Sequence, residues 1–270
     1  MIDVIVINLR RSTERRATIS SRLKALGIPF KIFEAIDGYC LSQKECDQIA
    51  PPSAWHRSHC RRNALPGEIG CAVSHINLIR ANANLEFFCV LEDDAVPTPD
   101  LLHFLDENTL RSLPQFDSLR LCSSQVLSRK DLAWKLASVG DYSICAAIEL
   151  GGTTSAQIHS NRGAAKIISN ITTIKAPIDD ILYIHPQIPG FRVLEVRPGL
   201  IRQADEMEGT ILNRPKPRKS KLFVQPAEVV AHWRRRIRLI QRFIVTWVFG
   251  GSILRYPMWR SDERNKRRGA

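Results

Sequence analysis

Three acids stand side by side at Glu92-Asp93-Asp94, directly behind the apolar run Phe87 to Leu91. Adjacent carboxylates raise one another's pKa by repulsion, and a hard divalent cation offsets it. In an open α/β sheet, ligands bind at the carboxyl ends of the strands, where this cluster would lie. Mg²⁺ or Mn²⁺ held there by one or two carboxylates can bridge diphosphate oxygens and keep positions open for a nucleotide leaving group. A solvated loop whose acids favour the next helix N-terminus accounts for the same residues without a ligand. His56, His59 and Cys60 also lie close together, but Arg57, Arg61 and Arg62 crowd them and no second ligand pair is apparent, so they read as a polar loop.

The elements that must position these groups follow from periodicity. Val4 to Ile7 is a continuous apolar run, as a strand buried on both faces requires. Ser12 or Thr13 can cap a helix carrying Ile19, Leu23 and Leu26 on one face and ending at Gly27, and Phe30 to Ile36 follows as a second strand. Strand, helix, strand is a βαβ unit and predicts an α/β domain with a largely parallel central sheet. Residues 38 to 64 read as an irregular insertion. Helix returns after Pro66-Gly67 with Ile69, Val73, Ile76 and Ile79 on one face, and Phe87 to Leu91 is the third strand. Pro97 and Pro99 stop it, and Asp100 can cap a helix through Leu110. Weaker strands are expected at 119–122, 143–148, 154–159 and 191–196, with a helix over 161–171.

The 270 residues are 44% hydrophobic and carry a net charge of +12. That charge is concentrated: residues 214–270 hold 16 Lys/Arg against 3 Asp/Glu, a net of +13, leaving 23 against 24, or −1, for residues 1–213. A nucleic-acid-binding protein is disfavoured, because the positive charge is confined to the tail and no recognition motif appears. The break falls at Arg214-Pro215-Lys216-Pro217-Arg218-Lys219, which divides the chain into a catalytic domain, 1–213, and a basic tail, 214–270. Within that tail Trp233, Ile237, Ile240, Ile244 and Trp247 recur at helical spacing beside Arg234, Arg235, Arg238 and Arg242, the pattern of an amphipathic helix lying on an anionic membrane surface. The seven cysteines show no CxxC spacing, and Met1 to Ile7 lacks the features of an export signal, so the expectation is a cytoplasmic protein, peripheral on the inner face of the membrane.

Four ordered blocks carry a resemblance: Val4-Ile-Val-Ile-Asn-Leu-Arg-Arg-Ser-Thr-Glu-Arg-Arg16, Phe33-Glu-Ala-Ile-Asp-Gly38, Leu65-Pro-Gly-Glu-Ile-Gly-Cys-Ala-Val-Ser-His75 and Val90-Leu-Glu-Asp-Asp-Ala95. Looser matches follow at 152–166, where Ser155 and Gln157 depart from the pattern, and at Pro177-Ile-Asp-Asp-Ile-Leu182. The sequence resembles glycosyltransferase family 25, the lipooligosaccharide and lipopolysaccharide core glycosyltransferases, over roughly residues 2–212. The resemblance implies a GT-A-like fold, a UDP-sugar donor (commonly UDP-galactose), a lipid-linked oligosaccharide acceptor and inversion at the transferred carbon. It makes Glu92-Asp93-Asp94 the counterpart of a DxD metal site, with Asp94 the stronger ligand and Glu92 the weaker for Mn²⁺ or Mg²⁺.

Inverting transfer needs a base for the acceptor hydroxyl and positive charge for the departing diphosphate. Asp179 and Asp180 are candidates for the base or for a sugar-hydroxyl contact, with helix capping as the competing role. Asn8, Arg11 and Arg15 follow the first strand, where such a fold receives the nucleotide, and arginine suits phosphate. His75 could touch donor or metal, or be a buried structural histidine. Glu68 is either a site residue or a first-turn acid favoured by the helix dipole. A family relative without catalysis, binding only membrane or glycan, is the alternative.

Overall fold

The computed structural model describes residues 1–57, 62–122, 133–147, 150, 152–184 and 188–204, and beyond these only Trp233, Ile237, Ile240, Ile244 and the pair Met258–Trp259. His59 and Cys60 lie outside the described residues, as does most of the tail. The chain opens with β1 (Asp3–Leu9), α1 (Thr13–Ala25) and β2 (Lys31–Ala35). The βαβ unit read from periodicity is therefore present, and Gly27 ends its helix at φ 67°, a left-handed conformation that other residues rarely adopt. Ser12 occupies the N-cap without a side-chain bond. Its carbonyl instead accepts from Asn8 Nδ2 at 3.1 Å, which ties the helix start to the end of β1.

Residues 38–64 are not the irregular insertion expected. A 3₁₀ turn at Gly38–Cys40 leads to α2 (Gln43–Ile49) and α3 (Pro52–Arg57). Ser42 and Glu45 form a reciprocal capping box at the start of α2, and the buried Trp55 donates from Nε1 to the Ile174 carbonyl at 3.0 Å. These local signals were present in the sequence, but the helices are too short for periodicity to show them. Next come α4 (Pro66–Ala81), β3 (Phe87–Glu92) and β4 (Ala95–Val96). The single helix expected from Asp100 to Leu110 is two, α5 (Leu101–Leu105) and α6 (Glu107–Ser112). Asp106 breaks it: its backbone is extended and its carboxylate accepts from Thr109 N at 2.8 Å, capping α6, while Asp100 is used by the Tyr142 hydroxyl at 2.7 Å.

The remaining elements are β5 (Ser118–Arg120), β6 (Ala133–Val139), β7 (Tyr142–Ala147), β8 (Ala156–Ser160), α7 (Asn161–Asn170), β9 (Val193–Arg197), β10 (Arg202–Gln203) and β11 (Met258–Trp259). Nine strands form one sheet in the order β11, β6, β7, β9, β5, β8, β3, β1, β2, and β4 pairs with β10 apart from it. The sheet is mixed rather than largely parallel. β1 is parallel to β2 and β3, and β5 to β9, but β8 runs antiparallel to both β3 and β5, and β7 to both β6 and β9. The first βαβ unit sets the parallel edge and says nothing about strands that arrive later.

Each of the inner strands β1 and β3 splits its side chains between two cores. Val4, Val6, Cys89 and Leu91 pack with Ile19 and Leu23 of α1 and with Leu101, Phe104 and Leu105 of α5. On the other face Ile5, Ile7, Phe88 and Val90 pack with Ile69, Ile76 and Ile79 of α4 and with Ala164 and Ile167 of α7. Strands covered on both sides need no polar alternation, which is why the apolar runs are continuous.

A backbone contact fixes α4 against the end of β2. A Cβ on Gly70 would stand 2.5 Å from the Ile36 carbonyl oxygen and 2.6 Å from Gly38 N, and one on Gly38 would stand 1.7 Å from the Pro66 carbonyl oxygen. An unconstrained Gly→Ala change inside a helix stabilises by about 1 kcal/mol. Gly70→Ala is expected to do the opposite and destabilise by about 1–3 kcal/mol, because backbone must move. Urea unfolding of the variant decides by its sign, and a stability at or above wild type would refute the close-contact account.

Candidate active site

The carboxyl ends of β1, β2 and β3 open into a cleft of about 480 Å³. Arg11, Arg15, His75, Glu92, Asp93 and Asp94 all line it, so six of the residues singled out in the sequence meet in one place. The acids arrive on β3 and the turn after it, the arginines on the turn and first helix after β1, and His75 on the face of α4 that also presents Gly67, Cys71 and Ser74.

The acidic turn is held from three directions. Arg15 Nη1 lies 2.9 Å from Asp93 Oδ1 and its Nη2 lies 3.0 Å from Asp94 Oδ2. Two turns further along α1, Arg22 donates to the Ala95 carbonyl at 3.1 Å. From β1, buried Asn8 donates from Nδ2 to Asp93 Oδ2 at 2.8 Å. From the far side, Ala204 N donates to the Asp94 carbonyl at 2.9 Å and Gln203 Nε2 approaches Asp94 Oδ2 at 3.4 Å. Glu92 is held separately, by the Thr154 hydroxyl at 2.6 Å and by His75 Nε2 at 3.2 Å, both on its Oε1.

These partners divide the three acids electrostatically. Burial alone would push Glu92 upward, but His75, the Thr154 hydrogen bond and Arg15 outweigh it and hold the carboxyl below its ordinary range. Asp93 is raised by burial, only partly offset by Arg15 and Asn8, with Glu92 adding repulsion. Asp94 is pushed up to about 6 by burial and by repulsion from Glu92 and Asp93, against the pull of Arg15. Its Oδ1 is buried with no hydrogen-bond partner. Such an oxygen in a crowded carboxylate group is the chemistry a hard cation satisfies.

Not every expected residue reaches the cleft wall. Asn8 does not line it and acts by fixing Asp93. Glu68 serves the start of α4: its Oε2 accepts from Leu65 N at 3.0 Å, and its two oxygens meet the Arg62 guanidinium at 2.6 and 2.8 Å. Both oxygens are thus occupied at the start of α4, and Glu68 is not part of the cleft lining. Asp179 and Asp180 are also absent from the lining; Asp180 is buried at the start of a π-type turn, Asp180–Ile184, and the charge of Asp179 reaches Arg120 and Tyr183. A buried polar chain leads from that side back to the acids. Tyr183 donates its hydroxyl proton to Gln157 Oε1, Gln157 Nε2 lies 3.4 Å from His75 Nδ1, and His75 meets Glu92.

Thr154 and Gln203 went unnoticed in the sequence, and Gln157 was marked only as a departure from the family pattern, with no role. Thr154 and Gln157 sit in or beside a strand with no distinguishing polar pattern, and Gln203 reaches Asp94 only through the β4–β10 pairing. Asp37, which meets Arg11 Nε at 2.5 Å and accepts from Tyr39 N at 3.1 Å, lay inside a recognised block but had no assigned role.

Comparison with known proteins gives a match of residues 1–182 to the family described as glycosyltransferase family 25 (LPS biosynthesis protein), ending short of residue 212. Procollagen galactosyltransferase 1-B of Xenopus laevis is 33% identical over 96 residues, which are 34% of this chain and 16% of that protein. A glycosyltransferase 25 family member of Anopheles gambiae is 35% identical over 96 residues, again 34% and 16%. The matched stretch spans about a sixth of the length of these curated relatives. Among solved structures, a glycosyltransferase involved in glycosylation of the major capsid of PBCV-1 overlaps 72% of this chain and 81% of its own at 12% identity, with a TM-score of 0.35. The galactosyltransferase LgtC, in complex with donor and acceptor sugar analogs, overlaps 67% and 69% at 12% identity and 0.36. Overlaps at that level establish no common fold.

The raised Asp94 has a consequence for stability. A carboxyl that holds its proton more tightly when folded contributes stability below its unfolded value and loses that contribution as pH rises through about 6. In EDTA, Asp94→Asn is expected to melt higher than wild type at pH 8, by a few degrees for roughly 1–3 kcal/mol, and to lose most of that advantage at about pH 4, near the ordinary carboxylate value. A difference in Tm that is the same at both pH values would show that Asp94 carries no such strain.

Proposed function

Because the chain belongs to glycosyltransferase family 25, matched over residues 1–182, we propose that it transfers galactose from UDP-galactose to a lipopolysaccharide or lipooligosaccharide core acceptor with inversion at the transferred carbon. The observation that carries this reading is the meeting of the three acids with Arg11, Arg15 and His75 in one cleft at the carboxyl ends of β1 to β3. The family description and the galactosyltransferases among the relatives support the sugar and acceptor class.

The orphaned Asp94 oxygen and the strained acids fit a hard divalent cation. Glu92 and Asp94 would hold Mn²⁺ or Mg²⁺, which when bound there would neutralise the departing diphosphate. The protein's own groups do the rest. Arg15, counter-ion to Asp93 and Asp94, is within reach of the same phosphates, and Arg11 stands exposed at the rim. Asn8 keeps Asp93 oriented toward Arg15. His75 and Thr154 keep Glu92 ionised and fixed, so that charge is in place before donor arrives. Tyr39, Leu9 and Ile36 line the cleft and offer an apolar surface to the uracil ring. One of Asp179 and Asp180 takes the proton of the acceptor hydroxyl, on the side of the buried chain leading through Tyr183 and Gln157.

A UDP-release assay with UDP-galactose, Mn²⁺ and truncated core oligosaccharides tests this reading. Asp94→Asn is expected to lose at least about a hundredfold in turnover, and EDTA to abolish wild-type turnover. One of Asp179→Asn and Asp180→Asn is expected to lose transfer to a similar extent while UDP binding stays within about twofold. Turnover indifferent to EDTA would remove the metal, normal turnover in both of the last variants would remove the base, and absence of any UDP-sugar turnover would remove the enzyme.

The tail completes the proposal. Trp233, Ile237, Ile240 and Ile244 are all exposed, and among the described residues no helix is long and apolar enough to cross a membrane. We assign residues 214–270 to the anionic inner face of the cytoplasmic membrane, where a lipid-linked acceptor would be met, with each basic residue near the surface contributing on the order of 1 kcal/mol. Co-sedimentation with anionic vesicles is expected for the full chain and not for one ending at Asn213, and to weaken with added salt. Equal binding by the two chains would remove the tail from the proposal.

A further inference from the structure

Cys71 and His75 stand one turn apart on α4, and Glu92 ends β3 opposite them. The Cys71 sulfur, a His75 ring nitrogen and a Glu92 carboxylate oxygen all lie within 4.8 Å of one another, and all three residues line the cleft. This set differs in kind from the acids beside it. Thiolate and imidazole with a single carboxylate suit a borderline cation of tetrahedral preference, whereas Mg²⁺ and Mn²⁺ favour oxygen.

The spacing is close to what such an ion requires. With bonds of roughly 2.0–2.3 Å, ligand atoms around tetrahedral zinc sit roughly 3.5 Å apart. His75 Nε2 and Glu92 Oε1 are already 3.2 Å apart, and rotation of the Cys71 side chain can bring its sulfur in. The outer shell is also in place. Gln157 stands against His75 Nδ1, the position that fixes the tautomer of a ligating histidine. With its amide nitrogen toward Nδ1, Gln157 favours the tautomer that carries the imidazole proton on Nε2, against Glu92. Turning the amide over presents its oxygen to an Nδ1 proton and frees Nε2; the Tyr183 hydroxyl then accepts from the amide and donates to Ser118 Oγ, 3.1 Å away.

We infer that Cys71, His75 and Glu92 form a binding site for zinc or another borderline divalent cation, with the fourth position open to the cleft. On binding, the Cys71 thiol gives its proton to solvent and His75 keeps one proton, moved to Nδ1. The site shares Glu92 with the acidic group. Resting on the proposed function, zinc therefore inhibits transfer by taking a carboxylate that the catalytic cation needs; the binding itself does not depend on that reading.

Cobalt is the probe, because thiolate bound to it absorbs characteristically. Titrating the metal-free full chain with Co²⁺ is expected to give a thiolate-to-cobalt charge-transfer band and tetrahedral d–d absorption, both reversed by Zn²⁺. Cys71→Ser is expected to lose the band and to weaken Zn²⁺ binding, measured against a chromophoric chelator, by more than about tenfold. In the wild type, Zn²⁺ is expected to protect Cys71 from iodoacetamide, read by peptide mass spectrometry, which requires no variant to fold. No band, a band that survives Cys71→Ser, or unprotected alkylation would overturn the site. A chain with the Cys71-dependent band but no sugar transfer upholds the site and loses the proposed function; transfer without the band does the reverse.

Discussion

Where β3 leaves the sheet, three consecutive acids enter a part of the molecule too buried to solvate them well. Their mutual repulsion is the constraint around which the neighbouring elements are arranged. α1 answers it with Arg15, β1 with Asn8, α4 with His75, and the segment before β8 with Thr154. The answers are unequal. Glu92 receives enough support to stay below its ordinary range, while Asp94 receives too little and retains an orphaned oxygen. That imbalance separates a fixed, ionised residue from one whose charge awaits a partner, within a span of three residues.

Such a balance requires the supporting elements to stay put. α1 is tied to the acidic turn twice, through Arg15 and through Arg22, so helix and turn move together if they move at all. α4 is set against the end of β2 by backbone, with Gly38 and Gly70 in close approach and Ser74 accepting from Ile36 N at 2.8 Å. Cys71 and His75 therefore project into the cleft from a helix that cannot slide. Opposite-facing cores on β1 and β3 hold both helices on the sheet by burial, the non-directional part of the same arrangement.

Much of this was legible in the sequence where burial leaves a period. Val4 to Ile7 and Phe88 to Leu91 are buried on both faces, and Ile19 and Leu23 repeat along α1, so those elements could be read directly. β6 could not: Ala133–Val139 alternates weakly and is partly exposed, so its side chains hardly distinguish it from loop. Strand direction was also hidden: β8 is turned antiparallel by a connection whose geometry no local pattern records, and the tight turn Gly140-Asp141 that sets β7 against β6 carries no message while β6 itself goes unrecognised. At the site, the acids, arginines and His75 were visible by type and neighbourhood. Glu68 stayed open between two roles because an acid in a first helical turn satisfies capping and catalysis equally well on paper; the structure shows the capping contact. Gln203 had no signal, as its relevance comes from a pairing between residues more than a hundred positions apart.

That pairing, and the position of β9, bear on where the protein ends as a physical object. The family match stops at residue 182, yet β9 (Val193–Arg197) lies inside the sheet between β7 and β5, and Gln203 and Ala204 close the cleft over Asp94. The segment by which ancestry is recognised is thus shorter than the unit that can fold around the site. A fragment or chimera cut at the edge of recognisable homology would divide the sheet through its interior and leave one wall of the cleft open. The smallest intact piece of this architecture must run at least to Ala204.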